Sequence, residues 1–227
     1  MNFYIITIFP QIFDWRKKTS LIWKAQEKWL INIKIFNPRD FCEDKHKQID
    51  DEIYWWGAGL LLKAKPFIDA VEYIIKKFDS FDKDFKIIYM APSKNILTQK
   101  KIVEKYSSIE NYILVCWRYE GIDYRFEQYM KDKYKDKFER LSIWEYVLMG
   151  GEVAGMVFIE SVSRLVPWVV KEKDSIDNES YSEKLGWENI EYPQYTRPRE
   201  VYGYEVPEVL LSWDHKKIEE WRKKNIQ

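Results

Sequence analysis

Glycine is scarce in this chain. Only 8 of the 227 residues are glycine, whereas ordinary usage of about 7% would give about 16. Glycine is the residue that reaches positive φ freely and lets a backbone approach a ligand closely. Tryptophan is abundant instead, with 11 residues, and it stands in stretches whose neighbours are typical of glycine-containing turns. These stretches are IYWWGAG, CWRYEG, LSIWEYVLMGG, LVPWVV and LLSWDH.

Cysteine and histidine are scarce as well. The sequence has two cysteines, Cys42 and Cys116, and no CxxC motif or Cys/His cluster. Structural disulfides and zinc are therefore not expected. His46 and His215 stand far apart in the sequence, so we expect neither to be a metal ligand. The sequence predicts no metal centre.

Long hydrophobic runs and an excess of charge are absent. No stretch of 18 apolar residues occurs, and the start MNFYIITIFPQIFD lacks the basic region and cleavage site of a signal peptide. We therefore expect a soluble, cytoplasmic protein with no membrane partner. Lys and Arg number 37, as do Asp and Glu, so the chain lacks the basic excess of an indiscriminate nucleic-acid binder. Any RNA contact must come from local basic clusters, such as Arg197 with Arg199.

The distribution of apolar residues predicts alternating strands and helices. Strands that alternate with helices predict an α/β fold with a parallel sheet and helices on both faces. Pro66 is suited to the first turn of one helix, and Thr98 to the N-cap of another. The predicted strands are 3–9, 31–36, 86–91, 111–116 and 139–143, and the predicted helical regions are 66–78, 98–106, 150–166 and 207–224.

The ordered motifs of the chain resemble one enzyme family over nearly its whole length. With several tryptophans taken as glycines, the sequence is similar to the bacterial tRNA (guanine-N1)-methyltransferases, which modify the guanine 3′ of the anticodon. Eight blocks in the family's order are far more specific than one short motif. They are IITIFPQIFD (5–14), NPRDF (37–41), HKQIDDEIYWWGAGLLLKAKP (46–66), LVCWRYEGIDYR (114–125), LSIWEYVLMGGEVAGM (141–156), SVSRLVPWV (161–169), YPQYTRP (192–198) and VPEVLLSWDHKKIEEWR (206–222).

The resemblance implies an architecture that periodicity does not reveal. The family has the SPOUT fold, in which a C-terminal trefoil knot of the catalytic domain holds the cofactor. It implies a knotted catalytic domain at 1–166, an interdomain linker at 167–178 and a small helical tRNA-binding domain at 179–227. The family is a homodimer whose active site combines the knot of one subunit with the linker and C-terminal domain of the other.

The implied cofactor is S-adenosyl-L-methionine, and family members also use Mg²⁺ for activity. The cofactor would lie against three loops that follow strands, at 89–93, 116–121 and 143–151, where open α/β sheets bind ligands. The residues implied to bind it are Tyr89, Met90, Ala91, Pro92, Trp117, Tyr119, Gly121, Ile143, Trp144, Glu145, Tyr146, Val147, Leu148, Gly150 and Gly151.

The implied reaction is methylation of N1 of guanine 37 in tRNA with guanines at positions 36 and 37. Guanine N1 carries a proton at neutral pH, so it needs a base, and a cation near O6 stabilises the resulting charge. The resemblance places the base at Glu179, with Asp177 as the nearest alternative. It places the cation at Arg164 and a guanine-orienting role at Glu120. The residues implied to bind substrate are Asp50, Arg118 and Arg197.

A uniform exchange of glycine for tryptophan has one simple cause. Drift would scatter glycine replacements among many residue types. We therefore hypothesise that one codon meaning glycine in the source organism, UGA being the plausible one, has been read as tryptophan. Trp221 matches a family tryptophan, while Trp15 and Trp187 stay undecided. The residues that fall on family glycines are Trp23, Trp29, Trp55, Trp56, Trp117, Trp144, Trp168 and Trp213.

Two other functions are compatible with the sequence. Glu179 lengthens the base by one methylene relative to the family's Asp, which leaves open a related knotted methyltransferase acting on another RNA base. If the tryptophans are genuine, Trp117 and Trp144 would occupy the cofactor's space. The chain would then be a tRNA-binding module without catalysis.

Overall fold

The computed structural model describes residues 1–17, 20–54, 59–78, 81, 84–170 and 179–227. The chain divides into two compact units, Met1–Lys171 and Glu172–Gln227. The strands of the first unit are β1 (Asn2–Ile6), β2 (Asn32–Phe36), β3 (Asp50–Glu52), β4 (Leu60–Leu62), β5 (Phe85–Met90), β6 (Asn111–Cys116) and β7 (Phe138–Leu141). Its α-helices are α1 (Leu21–Glu27), α2 (Ala64–Lys77), α3 (Gln99–Lys101), α4 (Arg125–Tyr134) and α5 (Glu152–Ser163).

A five-stranded parallel sheet forms the centre of the first unit. Its strand order is β2-β1-β6-β5-β7, and each neighbouring pair is parallel. In the register, Met90 is opposite both Cys116 and Leu141. Strands β5, β6 and β7 therefore end level with one another at one edge of the sheet. The predicted α/β fold with a parallel sheet is confirmed.

Helices cover both faces of this sheet. Alternate strand residues point to opposite faces. Ile5, Met90 and Leu114 belong to a core cluster that includes buried residues of α1 and α5. Ile6, Tyr89 and Val115 belong to a second cluster, with buried residues of α2 and α4. This two-sided burial explains why the central strands β1, β5 and β6 are largely apolar runs.

Local side-chain chemistry sets several element boundaries. Strand β1 is shorter than the predicted 3–9, because the Thr7 hydroxyl accepts a hydrogen bond from the N–H of Phe9 at 3.0 Å. A 3₁₀-helix then begins at Pro10. Pro66 lies in the first turn of α2, as predicted. The predicted cap at Thr98 is confirmed, since its side chain accepts from the N–H of Lys101, and a π-helix (Ile102–Tyr106) follows.

Helix α1 was not predicted, and two further elements of the first unit, helix α4 and the β3–β4 hairpin, were missed as well. Helix α4 is rich in charged residues, and its buried side of Phe126, Glu127 and Met130 is narrow. The short β3–β4 hairpin pairs Asp50 with Leu62 and buries few apolar residues on either strand. Both elements carry too weak an apolar pattern for periodicity to reveal them.

The second unit contains short elements. It includes a 3₁₀-helix (Glu183–Leu185), strands β8 (Glu200–Val201) and β9 (Tyr204–Glu205), and helices α6 (Glu208–Leu211) and α7 (His215–Lys224). The helical region predicted at 207–224 contains two helices, because α6 ends at Leu211 and Asp214 caps α7 by accepting from the N–H of Lys217. Residues 171–178 of the predicted linker lie outside the described residues.

Tryptophan is frequent where the backbone is left-handed. Nine non-glycine residues of the described part have positive φ, and four are tryptophans. Their φ values are 59° at Trp29, 73° at Trp168, 68° at Trp187 and 56° at Trp213. Trp29, Trp168 and Trp213 are also 89%, 79% and 87% exposed, which core tryptophans are not. Trp55, Trp56 and the side chain of Trp15 lie outside the described residues.

Within the described ranges, the structure has no helix that combines the length and apolar character needed to cross a membrane.

Candidate active site

The candidate site lies at the carboxyl edge of the parallel sheet. The loops after β5, β6 and β7 meet there because those strands end level with one another. All three loops implied to hold the cofactor contribute to one cavity, which also extends to Ala154 on α5. The cavity is lined by Met90, Ala91, Pro92, Trp117, Leu141, Ser142, Ile143, Tyr146, Leu148, Gly150 and Ala154.

This cavity is small. Its volume is about 20 Å³, which is room for roughly one water molecule, whereas cofactor sites typically measure about 300–1,000 Å³. Trp117 lines the cavity, is only 8% exposed and belongs to the core cluster on the α2–α4 face. The enclosed space between the three loops is thus smaller than a nucleoside-sized ligand needs.

Gly150 and Gly151 allow the loops to come together. A Cβ on Gly151 would lie 2.9 Å from Cys116 Cα, 2.9 Å from Met90 O and 3.0 Å from Trp117 N. The N–H of Gly151 donates to the carbonyl of Trp117 at 3.0 Å. Arg118 forms a β-bridge with Gly150. Glycine is therefore required at Gly151, because backbone cannot move aside as a flexible side chain can.

Other residues implied to bind the cofactor lie around the cavity. Tyr89 is 3% exposed and belongs to the core cluster on the α2–α4 face. Its hydroxyl accepts from the N–H of Ile122 at 3.2 Å, and burial raises the pKa of Tyr89 to about 12. From the α2–α4 face of the sheet, Tyr89 thus holds Ile122, the residue that directly follows the 116–121 loop. Tyr119, Gly121, Trp144, Glu145, Val147 and Gly151 are not among the residues that line the cavity.

Glu120 and Asp50 lie on neighbouring parts of the site. The N–H of Glu120 donates to the carbonyl of Leu60 at 3.1 Å, and the N–H of Leu62 to that of Gly121 at 3.0 Å. The loop after β6 therefore continues the β3–β4 hairpin, on which Asp50 pairs with Leu62. A Cβ on Gly59 would lie 2.8 Å from Glu120 Oε1. The structure thus places Glu120, the implied guanine-orienting residue, next to the hairpin that carries Asp50, an implied substrate-binding residue.

A buried acid that the sequence analysis missed lies beside Arg118. Glu152, the first residue of α5, is fully buried. Its Oε1 accepts from the Thr7 hydroxyl at 2.8 Å, and its Oε2 lies 2.9 Å from Arg118 Nε. That N–H is not aimed at the oxygen, so the contact is an ion pair without an aligned hydrogen bond. The sequence signal was an acid directly after the paired glycines, at a helix start.

The remaining implied residues lie in separate parts of the chain. Arg164 is half-buried and follows α5 in the first unit, whereas Glu179 is half-buried in the second. Asp177, the alternative base, lies outside the described residues. Arg197 lines a cleft of about 660 Å³ within the second unit. In the described part of the chain, no three His, Cys, Asp or Glu side chains are grouped to hold a metal ion.

Fold and site define an α/β protein with a candidate binding cavity at the carboxyl edge of a parallel sheet. The family model of tRNA (Guanine-1)-methyltransferase TrmD matches residues 1–227. The chain is 45% identical over 224 residues to the tRNA (guanine-N(1)-)-methyltransferase of Carboxydothermus hydrogenoformans, which covers 99% of this chain and 82% of that protein. It is 41% identical to the protein of that name from Dictyoglomus turgidum (97% and 82% covered), and 39% identical to that from Clostridioides difficile (98% and 91%).

The chain therefore belongs to the tRNA (Guanine-1)-methyltransferase family, and the family resemblance found in the sequence is confirmed.

Proposed function

We propose that the protein transfers a methyl group from S-adenosyl-L-methionine to N1 of guanine 37 in tRNA. The observation that carries the proposal is the family match over residues 1–227. The three implied cofactor loops are far apart in the sequence, yet residues from all of them line one cavity, which supports the proposal. We also propose the finer features of the family for this chain, namely the SPOUT knot, the domains at 1–166 and 179–227 and the homodimer.

The chemistry requires a base and a cation at the target guanine. Glu179 accepts the N1 proton, and the freed electron pair of N1 forms the new bond to carbon. Arg164 stabilises the negative charge that develops toward O6, and Glu120 orients the guanine. The cofactor supplies an electrophilic methyl group on a sulfonium and leaves as a neutral thioether. Mg²⁺ belongs to the proposal as an aid to activity, with no residues assigned to it.

The cofactor fits only if position 117 is small. Backbone groups of the 89–93, 116–121 and 143–151 loops suit the edge of an adenine, and Gly150 and Gly151 keep those backbones close. Trp117 lines the cavity between them, and glycine there would remove its large side chain. We therefore propose that the functional residue is glycine at 117 and at the other matched positions. The Trp→Gly substitution should enlarge the small cavity into a cofactor site.

Calorimetric titration with S-adenosyl-L-methionine tests this fit. The full chain with tryptophan should show no binding at micromolar concentration. The chain with glycine at 23, 29, 55, 56, 117, 144, 168 and 213 should bind, and restoring Trp117 alone should abolish that binding. Tight binding by the tryptophan chain would refute the glycine proposal and leave the methyltransferase proposal standing.

The second unit offers a surface for tRNA. Residues 172–227 contain 9 basic and 13 acidic side chains, yet the charged residues that line the 660 Å³ cleft are Arg197, Arg199 and Arg222. The Arg222 guanidinium lies 4.9 Å from the ring centre of Tyr192. Arginine beside exposed aromatic rings suits phosphate and unstacked bases. We propose that this cleft contributes to the tRNA contact, with Arg197 as its substrate-binding residue.

Methyl transfer to tRNA transcripts tests the activity itself. With glycine at the eight positions, the chain should methylate a transcript with guanines at 36 and 37 but not one lacking them. Arg164→Ala and Glu179→Gln should each lower transfer by about 10²-fold or more while leaving cofactor affinity nearly unchanged. Normal turnover in Glu179→Gln would move the base to Asp177.

A second function is favoured by the size of the cavity. If native peptides contain tryptophan at 117, we expect the 20 Å³ cavity to exclude the cofactor. The chain would then bind tRNA without catalysing methyl transfer. Peptide mass spectrometry of protein from its native source decides between the two. A transcript methylated at a different base would instead indicate a related RNA methyltransferase.

A further inference from the structure

We propose that Glu152 is a positioning residue that holds Arg118 and the 117–121 loop in place for methyl transfer. The inference rests on the proposed methyltransferase function. Under this proposal, Glu152 contacts neither the cofactor nor the target guanine. It acts through Arg118, which lies between the cavity residue Trp117 and the implied guanine-orienting residue Glu120.

One carboxylate links three parts of the sheet edge. Glu152 begins α5, directly after the 143–151 loop. Its Oε1 accepts from Thr7, which follows β1, at 2.8 Å. Its Oε2 lies 2.9 Å from Nε of Arg118, two residues beyond β6. The Thr7 hydroxyl also accepts from the N–H of Phe9, and the Phe9 ring centre lies 4.9 Å from the Arg118 guanidinium.

The surrounding backbone leaves room for this pair. A Cβ on Gly150 would lie 2.5 Å from Arg118 Nε and 2.7 Å from Glu152 Oε2. Glycine at position 150 therefore leaves free the space that the Arg118–Glu152 ion pair occupies. The Arg118 guanidinium also approaches the carbonyl of Met149, at 3.4 Å from Nη1. The consecutive residues Met149 and Gly150, at the end of the loop after β7, thus both lie against Arg118.

Burial argues that the pair serves the site. Glu152 is fully buried, and a buried acid adds little net stability compared with a well-packed apolar residue. Glu152 lies in the first turn of α5, where the helix dipole interacts favourably with an acidic side chain. The Arg118 side chain remains 21% exposed. The result is a fixed cation at the edge of the site, with its Nε side anchored and part of the side chain accessible to a ligand.

A double-mutant cycle tests the coupling. In the full chain with glycine at the eight positions, Glu152→Gln and Arg118→Gln should each lower kcat/KM for tRNA by about tenfold to a hundredfold, with S-adenosyl-L-methionine affinity changed by less than about threefold. The kcat/KM of the double variant should be no lower than that of the worse single variant, because either change alone already abolishes the positioning of the Arg118 guanidinium. Glu160→Gln, which removes an exposed acid from the same helix, is the matched control and should match the parent.

Losses that multiply in the double variant would overturn the proposal, because Glu152 would then act independently of Arg118. If Glu152→Gln does not fold, Thr7→Val takes its place in the cycle, since Thr7 holds the same carboxylate, and multiplicative losses carry the same meaning.

Hydrogen exchange of the chain without RNA or cofactor provides a readout independent of catalysis. The amides of 117–121 should exchange at least about tenfold faster in Glu152→Gln, while those of β6 stay unchanged, as expected of local opening. Unchanged exchange in the loop would overturn the positioning role. An inactive parent chain with faster loop exchange in Glu152→Gln would instead reject the proposed function and keep the structural coupling.

Discussion

Trp29 occupies a backbone position that suits glycine for reasons independent of any relative. It follows Lys28, the C-cap of α1. The N–H of Leu30 donates to the carbonyl of Ala25 at 2.9 Å, and that of Trp29 to Gln26 at 3.0 Å. This pair of bonds defines the Schellman motif, whose left-handed residue is usually glycine. The φ of 59° at Trp29 completes the motif, so the backbone itself indicates glycine there.

Trp168 occupies a comparable position in a turn. The N–H of Val169 donates to the carbonyl of Val166 at 3.1 Å, which closes a four-residue turn with Pro167 second and Trp168 third. A proline second and a positive φ third, 73° here, are the features of a type II turn, which requires glycine at that third residue. Trp187, undecided from the sequence, has a positive φ of 68° as well.

Replacing an exposed left-handed tryptophan should stabilise the protein. Trp213→Gly should raise the free energy of unfolding by about 1–2 kcal/mol, because glycine removes the left-handed steric cost. Trp213 is 87% exposed, so little packing is lost. Urea unfolding followed by circular dichroism measures the change, and Trp29→Gly and Trp168→Gly should behave alike.

Trp221→Gly is the matched control in the same unit. Trp221 lies in α7, and its ring centre is 6.4 Å from Tyr192 and 6.2 Å from Tyr195. Its replacement should lower stability by about 2–4 kcal/mol through lost packing and glycine in a helix. If Trp213→Gly also lowered stability, the backbone at position 213 would not favour glycine.

At the scale of elements, the α5 start is where the site depends most on close backbone contact. Gly151→Ala should lower the free energy of unfolding by about 1–3 kcal/mol, because the new Cβ meets backbone atoms that cannot move aside. Those atoms are 2.9–3.0 Å away, in Met90, Cys116 and Trp117. Thermal unfolding measures the loss.

Gly155→Ala provides the comparison on the same helix. The nearest atoms to its Cβ are Cys116 Sγ at 3.5 Å and Phe13 Cζ at 3.9 Å, which are ordinary contacts. Helix propensity then dominates, and alanine should stabilise by about 0.5–1 kcal/mol. A similar loss at both positions would show that α5 tolerates no added carbon and that Gly151 has no special role.

The central strands β1, β5 and β6 could be predicted from the sequence because burial on both faces makes them largely apolar. Helix α4 could not, since much of its surface is charged and only a few of its residues are buried. The break between α6 and α7 was missed because Trp213 hides the glycine signal of a helix end. The three loops were grouped in advance by the family resemblance, which implies that all of them hold the cofactor. Glu152 could not be assigned to Arg118, since that pairing depends on tertiary packing.

At the scale of the whole molecule, balanced net charge and local arginine clusters are compatible. The chain has 37 basic and 37 acidic residues, so long-range attraction to tRNA is weak and recognition depends on placed cations. The cleft with Arg197, Arg199 and Arg222 concentrates such cations in a unit with an excess of acids. Each arginine that contacts a phosphate should therefore contribute about one unit to the salt dependence of binding, and Arg222→Gln should reduce that slope without changing base preference.

Mixing two inactive variants tests whether the site is shared between subunits. Under the proposed homodimer, Arg164 comes from the knotted domain of one chain and Glu179 from the C-terminal domain of the other. Arg164→Ala and Glu179→Gln dimers, dissociated, mixed and reassociated, should then recover about one quarter of the parent activity, since half of the dimers are mixed and each contains one intact site of two. Each variant treated alone is the control and should stay inactive. A mixture that stays inactive, although mass spectrometry shows mixed dimers, would place Arg164 and Glu179 of one active site in the same chain.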